Sequence, residues 1–74
     1  MQIRYFSDTD TIHIELTNSP VVDTMDINEQ TLVDLDGDGN VVAITIEHAQ
    51  ESANMRTFSF EQIPALQPQL AAAD

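Results

Sequence analysis

Apolar and polar side chains alternate along most of the chain up to Glu47, and each alternating stretch ends at a cluster of turn-forming residues. Ile3-Arg4-Tyr5-Phe6 predicts a short strand, closed by the turn cluster Ser7-Asp8-Thr9-Asp10. Thr11 to Leu16 alternates strictly. Ile12, Ile14 and Leu16 fall on one face, and Thr11, His13 and Glu15 on the other. A period of two is that of a half-buried antiparallel strand. Thr17-Asn18-Ser19-Pro20 ends it, and Val21 to Ile27 predicts a weaker, extended edge strand broken by Asp23 and Asp26. Charge of this kind blunts an exposed sheet edge. Thr31 to Asp36 and Val41 to Glu47 flank Gly37-Asp38-Gly39-Asn40, where glycine supplies positive φ without steric cost. This pair predicts a β-hairpin.

The alternation stops after Glu47. His48 to Met55 carries good helix formers and predicts one short helix. Thr57-Phe58-Ser59-Phe60 suits a strand or the start of a helix, since Ser59-x-x-Gln62 fits a capping box, while Pro64 limits any helix beyond it. Residues 68–74 predict a frayed tail, leaving a single domain over residues 1–67. The fold class expected is α+β: an antiparallel β-meander of four to five strands followed by one short helix. Phe58, Phe60, Ile63 and Leu66 are the side chains available to cover the apolar sheet face. Small domains need extra burial, so a homodimer is expected.

Charge narrows the functions open to such a sheet. The 74 residues hold thirteen Asp and Glu against two cations, Arg4 and Arg56, for a formal net charge of −11. Nucleic-acid binding and docking on an anionic membrane both draw on Lys and Arg, so neither is expected. With no cysteine there is neither a disulfide framework nor a thiolate metal site. No apolar run approaches the roughly 20 residues of a membrane span, and no signal-peptide pattern comes after Met1. The default expectation is a cytoplasmic protein. No internal repeat of roughly 20–50 residues is visible.

Ile3-x-Tyr5, Asp10-x-Ile12-x-Ile14-x-Leu16 and Leu32-Val33-Asp34-x-Asp36-x-x-Gly39-x-Val41-Val42-x-Ile44-x-Ile46 form a connected pattern. As a set, from about Met1 to Ala49, it resembles a family of small bacterial domains of unknown function called YuzE-like. The resemblance implies a small α+β domain on an antiparallel sheet, with no established activity. Some members stand beside small basic proteins that look like toxins, so it also implies an antitoxin-like role. Phe6 stands where members often have Asp, and Ala43 where they usually have Gly.

Three groups of residues invite chemistry. Asp34, Asp36 and Asp38 with Gly39 match the first ligand positions of a calcium-binding EF-hand loop, but the twelfth position, normally Glu, is Thr45. The flanks read as strands, with Asp34 and Asp36 on one face. The plainer reading is a solvated hairpin tip braced by its aspartates. His13 and His48 have nothing that places them together, whereas a transition-metal site needs two or three converging ligands. Carboxylate pairs such as Asp8 with Asp10 lack a pocket to separate their pKa values, so no catalytic residue is expected.

The expectation is a non-enzymatic acidic interaction domain, an antitoxin-like partner of a small basic protein. Its contact groups are Glu15, Asp34, Asp36, Asp38 and Glu47. Two alternatives stay open: a weak calcium binder using Asp34, Asp36 and Asp38 without any other cofactor, and a soluble homodimer with no ligand.

Overall fold

The computed structural model describes residues 1–65. Five strands succeed one another in chain order: β1 (Gln2–Phe6), β2 (Thr11–Glu15), β3 (Asp23–Asp26), β4 (Thr31–Leu35) and β5 (Val41–Glu47). One helical turn, α1 (Ala49–Ser52), comes last. The strands form a single antiparallel sheet, as the alternating pattern predicts.

The strand order is β1-β2-β5-β4-β3, which corrects the meander. Strand β5 inserts between β2 and β4 instead of lying at an edge. Its sequence explains the position: Val42 and Ala43 are consecutive, point to opposite faces, and are both buried at 3% exposure. The central position surrounds this pair with neighbouring side chains from β2 and β4 on each face. Strand β3, with Asp23 and Asp26, takes the far edge. The Leu16–Val22 link therefore crosses the end of the sheet. The Leu16 and Thr17 N–H groups donate to the Val42 carbonyl, at 2.8 and 3.3 Å, and the Val22 N–H donates to the Leu35 carbonyl at 2.8 Å.

Opposed residues share a sheet face, so the register sorts the side chains. The apolar face carries a row that spans all five strands: Ile3, Ile14, Ile44, Val33 and Met25. Tyr5, Ile12, Ile46 and Thr31 form the next row. Asp23 stands on this face at its β3 corner.

The chain after β5 departs furthest from expectation. The helix is four residues, not the eight of His48–Met55, because both of its flanks leave helical geometry. His48 lies in the left-handed region at φ 53°, and Ala53 is extended at φ −147°. Thr57–Phe60 forms neither strand nor helix. Residues 53–58 run over the β1–β2 end of the apolar face, where Phe58 and Met55 line an open groove of about 320 Å³ with Ile3, Tyr5, Ile12 and Ile14. Phe60 and Ile63 do not cover the sheet; they are 74% and 77% exposed. Leu66, the domain limit at residue 67 and the tail at 68–74 lie outside the described residues. Val42, Ala43 and Ala49 are the fully buried hydrophobic residues among those described, and no large side chain is completely enclosed.

Candidate functional site

The polar face is the candidate site. Its central row runs Arg4, His13, Thr45, Leu32 and Asp26. His13 Nδ1 and Thr45 Oγ1 are hydrogen-bonded at 3.0 Å across β2 and β5. The neighbouring row is Gln2, Glu15, Ala43, Asp34 and Thr24. Glu15 and Asp34 thus stand on either side of Ala43, about 10 Å apart by two strand spacings. No cation separates them in that row; the Arg4 Nη2 donates instead to Gln2 Oε1 at 2.8 Å. Asp34 is held by the Thr24 hydroxyl, which donates to its Oδ1 at 2.8 Å. Glu15 borders an open groove of about 390 Å³ with Gln2 and Asn18.

The five sequence-predicted contact groups do not form one patch. Glu15 and Asp34 share a row. Glu47 is on the same face but at the far end of β5, opposite Thr11. Asp36 and Asp38 belong to the β4–β5 turn. The β4–β5 ladder shifts register at Asp34/Leu35, where Asp34 opposes Ala43 and Leu35 opposes Val41, so the extra residue is Val42 on β5; β4 ends at Leu35 and Asp36 opens the turn. Asp26 joins the polar face in the central row and is not among the predicted contacts.

Asp36 is committed to the turn itself. Its Oδ1 accepts the backbone N–H groups of Asp38 and Asn40, each at 2.9 Å, and Oδ2 accepts Asn40 Nδ2 at 3.4 Å. The Asn40 backbone N–H, with help from that of Asp38, holds its carboxyl below the usual Asp value. Gly39 sits at φ +84°, where a side chain would be strained. Among the described residues, no three His, Asp or Glu side chains stand together in a metal-binding group. The oxygens a cation would need at Asp36 already face N–H donors.

Sequence reasoning misses a second cluster. Asp10, at φ 53°, accepts the Tyr5 hydroxyl at 2.7 Å and the Gln50 backbone N–H at 3.3 Å on both carboxylate oxygens. Its carbonyl accepts the Ala49 N–H at 2.9 Å, and Gln50 Nε2 donates to the Tyr5 hydroxyl at 3.2 Å. The bond to Asp10 raises the Tyr5 pKa above its ordinary value. The cluster ties α1 to β1. Its sequence signal is confined to the turn-rich Ser7–Asp10, since aspartate tolerates left-handed backbone.

Among the described residues no helix is long and apolar enough to cross a membrane. Neither a curated protein nor a solved structure matches the chain. One family model does, over residues 2–50, and it takes in all five strands and the residues that carry the resemblance. The chain therefore belongs to the family described as a protein of unknown function, DUF2283.

Proposed function

We propose that this chain is a non-enzymatic interaction domain that binds a basic protein on its polar sheet face. One observation carries the reading: Glu15 and Asp34 flank the small, buried Ala43 across three paired strands, with no cation in their row. A Lys or Arg side chain from a partner fits over Ala43 and meets a carboxylate on each side. Asp26 and Glu47 extend the acidic field, and the net charge of −11 steers a cationic partner toward it. Asp38, at the exposed hairpin tip, is a peripheral contact. Asp36 serves the turn and drops out of the contact set. In the antitoxin-like form of this reading, the partner is a small basic toxin whose cationic site the face covers. No observation favours the calcium alternative.

The test is co-purification from native lysate at low and high salt, with wild type against the double variant Glu15→Gln/Asp34→Asn. Wild type is expected to retain a protein richer in Lys and Arg than in Asp and Glu, at low salt only. The double variant is expected to lose it. Equal recovery by both chains, or no basic protein on either, overturns the reading.

A further inference from the structure

We propose that two copies of this chain pair antiparallel through the free edge of β1, so that the sheet continues across a two-fold axis. The polar-face site lies on β2, β5 and β4, away from this edge, so the pairing holds whichever partner that site takes.

Backbone parity gives the groups that the edge offers. In an antiparallel ladder, alternate residues of a strand turn their N–H and C=O groups to one neighbour and the rest to the other. The Glu47 N–H donates to the Gln30 carbonyl at 2.7 Å on the β4 side of β5, and the Leu16 N–H to the Val42 carbonyl at 2.8 Å on its β2 side. Carried through the register, these bonds turn Ile12 and Ile14 toward β5, and Thr11, His13 and Glu15 toward β1. Their opposites Phe6, Arg4 and Gln2 face β2, which leaves the N–H and C=O groups of Ile3 and Tyr5 directed outward. Among the described residues, no other backbone group bonds them.

The other edge is guarded. The same counting turns Thr24 and Asp26 outward on β3, but Asp23 Oδ1 already takes the Thr24 N–H at 2.8 Å, and Asp26 adds a negative charge. Strand β1 has no acid, no proline and no bulge in its register. An edge without such protection is a template for another strand.

Charge selects the occupant. Strand β1 is the one strand without Asp or Glu, and Arg4 is the one Lys or Arg in the five strands. Two chains of charge −11 joined at β1 meet where each sheet is least negative, with their β3 edges at the far ends. A basic strand gains nothing beside Arg4. An axis at Ile3 or Tyr5 sets Arg4 opposite the partner's Gln2 or the partner's Phe6, and not opposite its twin. Arg4 already donates to Gln2 Oε1 within its own chain. Ile3 and Tyr5, each 38% exposed, and Phe6, 46% exposed, pack against the added strand.

The experiment places a proline where the missing N–H is an outward one. Ile3→Pro removes that donor and leaves the ladder to β2 whole, while Ile3→Val keeps the donor. Light scattering is expected to give twice the 8.2 kDa chain mass for wild type and Ile3→Val, and the single-chain mass for Ile3→Pro with its far-ultraviolet circular dichroism intact. Amide hydrogen exchange of wild type is a readout without a variant. The Ile3 and Tyr5 amides are expected to be protected in concentrated protein and to exchange faster on dilution, whereas the Asp26 amide exchanges fast in both. Single-chain mass for concentrated wild type overturns the proposal. An Ile3→Pro dimer also overturns it, because the interface is then elsewhere. If Ile3→Pro unfolds, exchange decides. Ile3 and Tyr5 amides as fast as that of Asp26 overturn the pairing, and amides protected equally at every dilution assign the edge to residues 66–74 of the same chain. Species that grow beyond two chains mean that β1 meets the β3 edge of the next copy, and the closed pair fails.

Discussion

The Tyr5 hydroxyl donates to Asp10 Oδ1 at 2.7 Å, and the same oxygen receives the backbone N–H of Gln50, forty positions further along the chain. Asp10 thus performs for α1 the capping that His48, the residue in the N-cap position, does not. Two effects separate on substitution. Asp10→Ala removes the accepting side chain and keeps a β-carbon in the left-handed region, as the wild type does, so a loss of about 1 kcal/mol is expected. Asp10→Gly loses the same cap but relieves the backbone by about 1 kcal/mol, so little net change is expected. Urea denaturation of the two variants decides it, and equal losses would show that the backbone carries no strain.

The same bond predicts a change in tyrosine titration. A Tyr pKa raised in the folded state stabilises the fold below the ordinary value of 10.0, and that contribution is lost as pH rises through the elevated value. The hydrogen bond to Asp10 is the leading cause, so Asp10→Ala is expected to bring the Tyr5 titration down. Ultraviolet absorbance reads Tyr5 without overlap because it is the chain's single tyrosine. A titration curve unmoved by Asp10→Ala would remove Asp10 as the cause.

His48 offers a gain. Its backbone is left-handed at φ 53° and ψ 49°, and its side chain makes no capping bond. Glycine occupies that region without the clash a β-carbon brings. His48→Gly is expected to raise stability by up to about 1 kcal/mol, an increase in Tm of several degrees for a domain of this size. A lowered Tm would mean that the histidine ring makes a contact that outweighs the strain.

The legible part of the fold is the part that periodicity encodes. Alternation fixes which residues share a face, so Ile12 with Ile14, and Val42 with Ile44 and Ile46, are readable at once. It does not fix which strands are neighbours. The clue to β5 as the central strand lies in consecutive apolar residues at Val41 to Ile44, a run buried on both faces at Val42 and Ala43. The pairing of Glu15 with Asp34 across Ala43 depends on that order, and is invisible without it. The bulge that inserts Val42 on β5 opposite the Asp34–Leu35 step leaves no mark in the sequence. The helix is shorter than its propensity suggests because propensity does not register the left-handed His48. The Asp10–Gln50 bond joins residues too distant for any local rule.

Calcium is expected to do no more than other ions at the hairpin tip. Both Asp36 oxygens accept N–H groups, and Asp34 Oδ1 accepts the Thr24 hydroxyl. A chain of net charge −11 gains stability from any added salt, so the comparison must be made at equal ionic strength. Calcium, magnesium and sodium chloride are then expected to shift Tm alike, apart from the ordinary preference of carboxylates for divalent ions. A calcium-specific rise that disappears in Asp36→Asn would restore the metal reading.

Acid should first strengthen the fold and then weaken it. Lowering the pH from 7 toward the isoelectric point near 4.1 removes the net negative charge that repels itself in the compact state more than in the expanded one. Asp36 works in the opposite sense. Its folded pKa is depressed, so it stabilises the turn above the ordinary value of 3.8 and loses that contribution as pH falls through the lower folded value. The two ranges barely overlap. Stability is therefore expected to peak at mildly acidic pH, above the isoelectric point, and not at neutrality. Urea midpoints measured from neutral to acid pH at fixed protein concentration test this. Sodium chloride should reproduce the gain at neutral pH and have little effect near the peak. Asp36→Asn should start lower at neutral pH and fall less steeply on the acid side. A wild-type midpoint that declines steadily from pH 7 downward, with no gain from salt at neutrality, would mean that self-repulsion does not govern this chain.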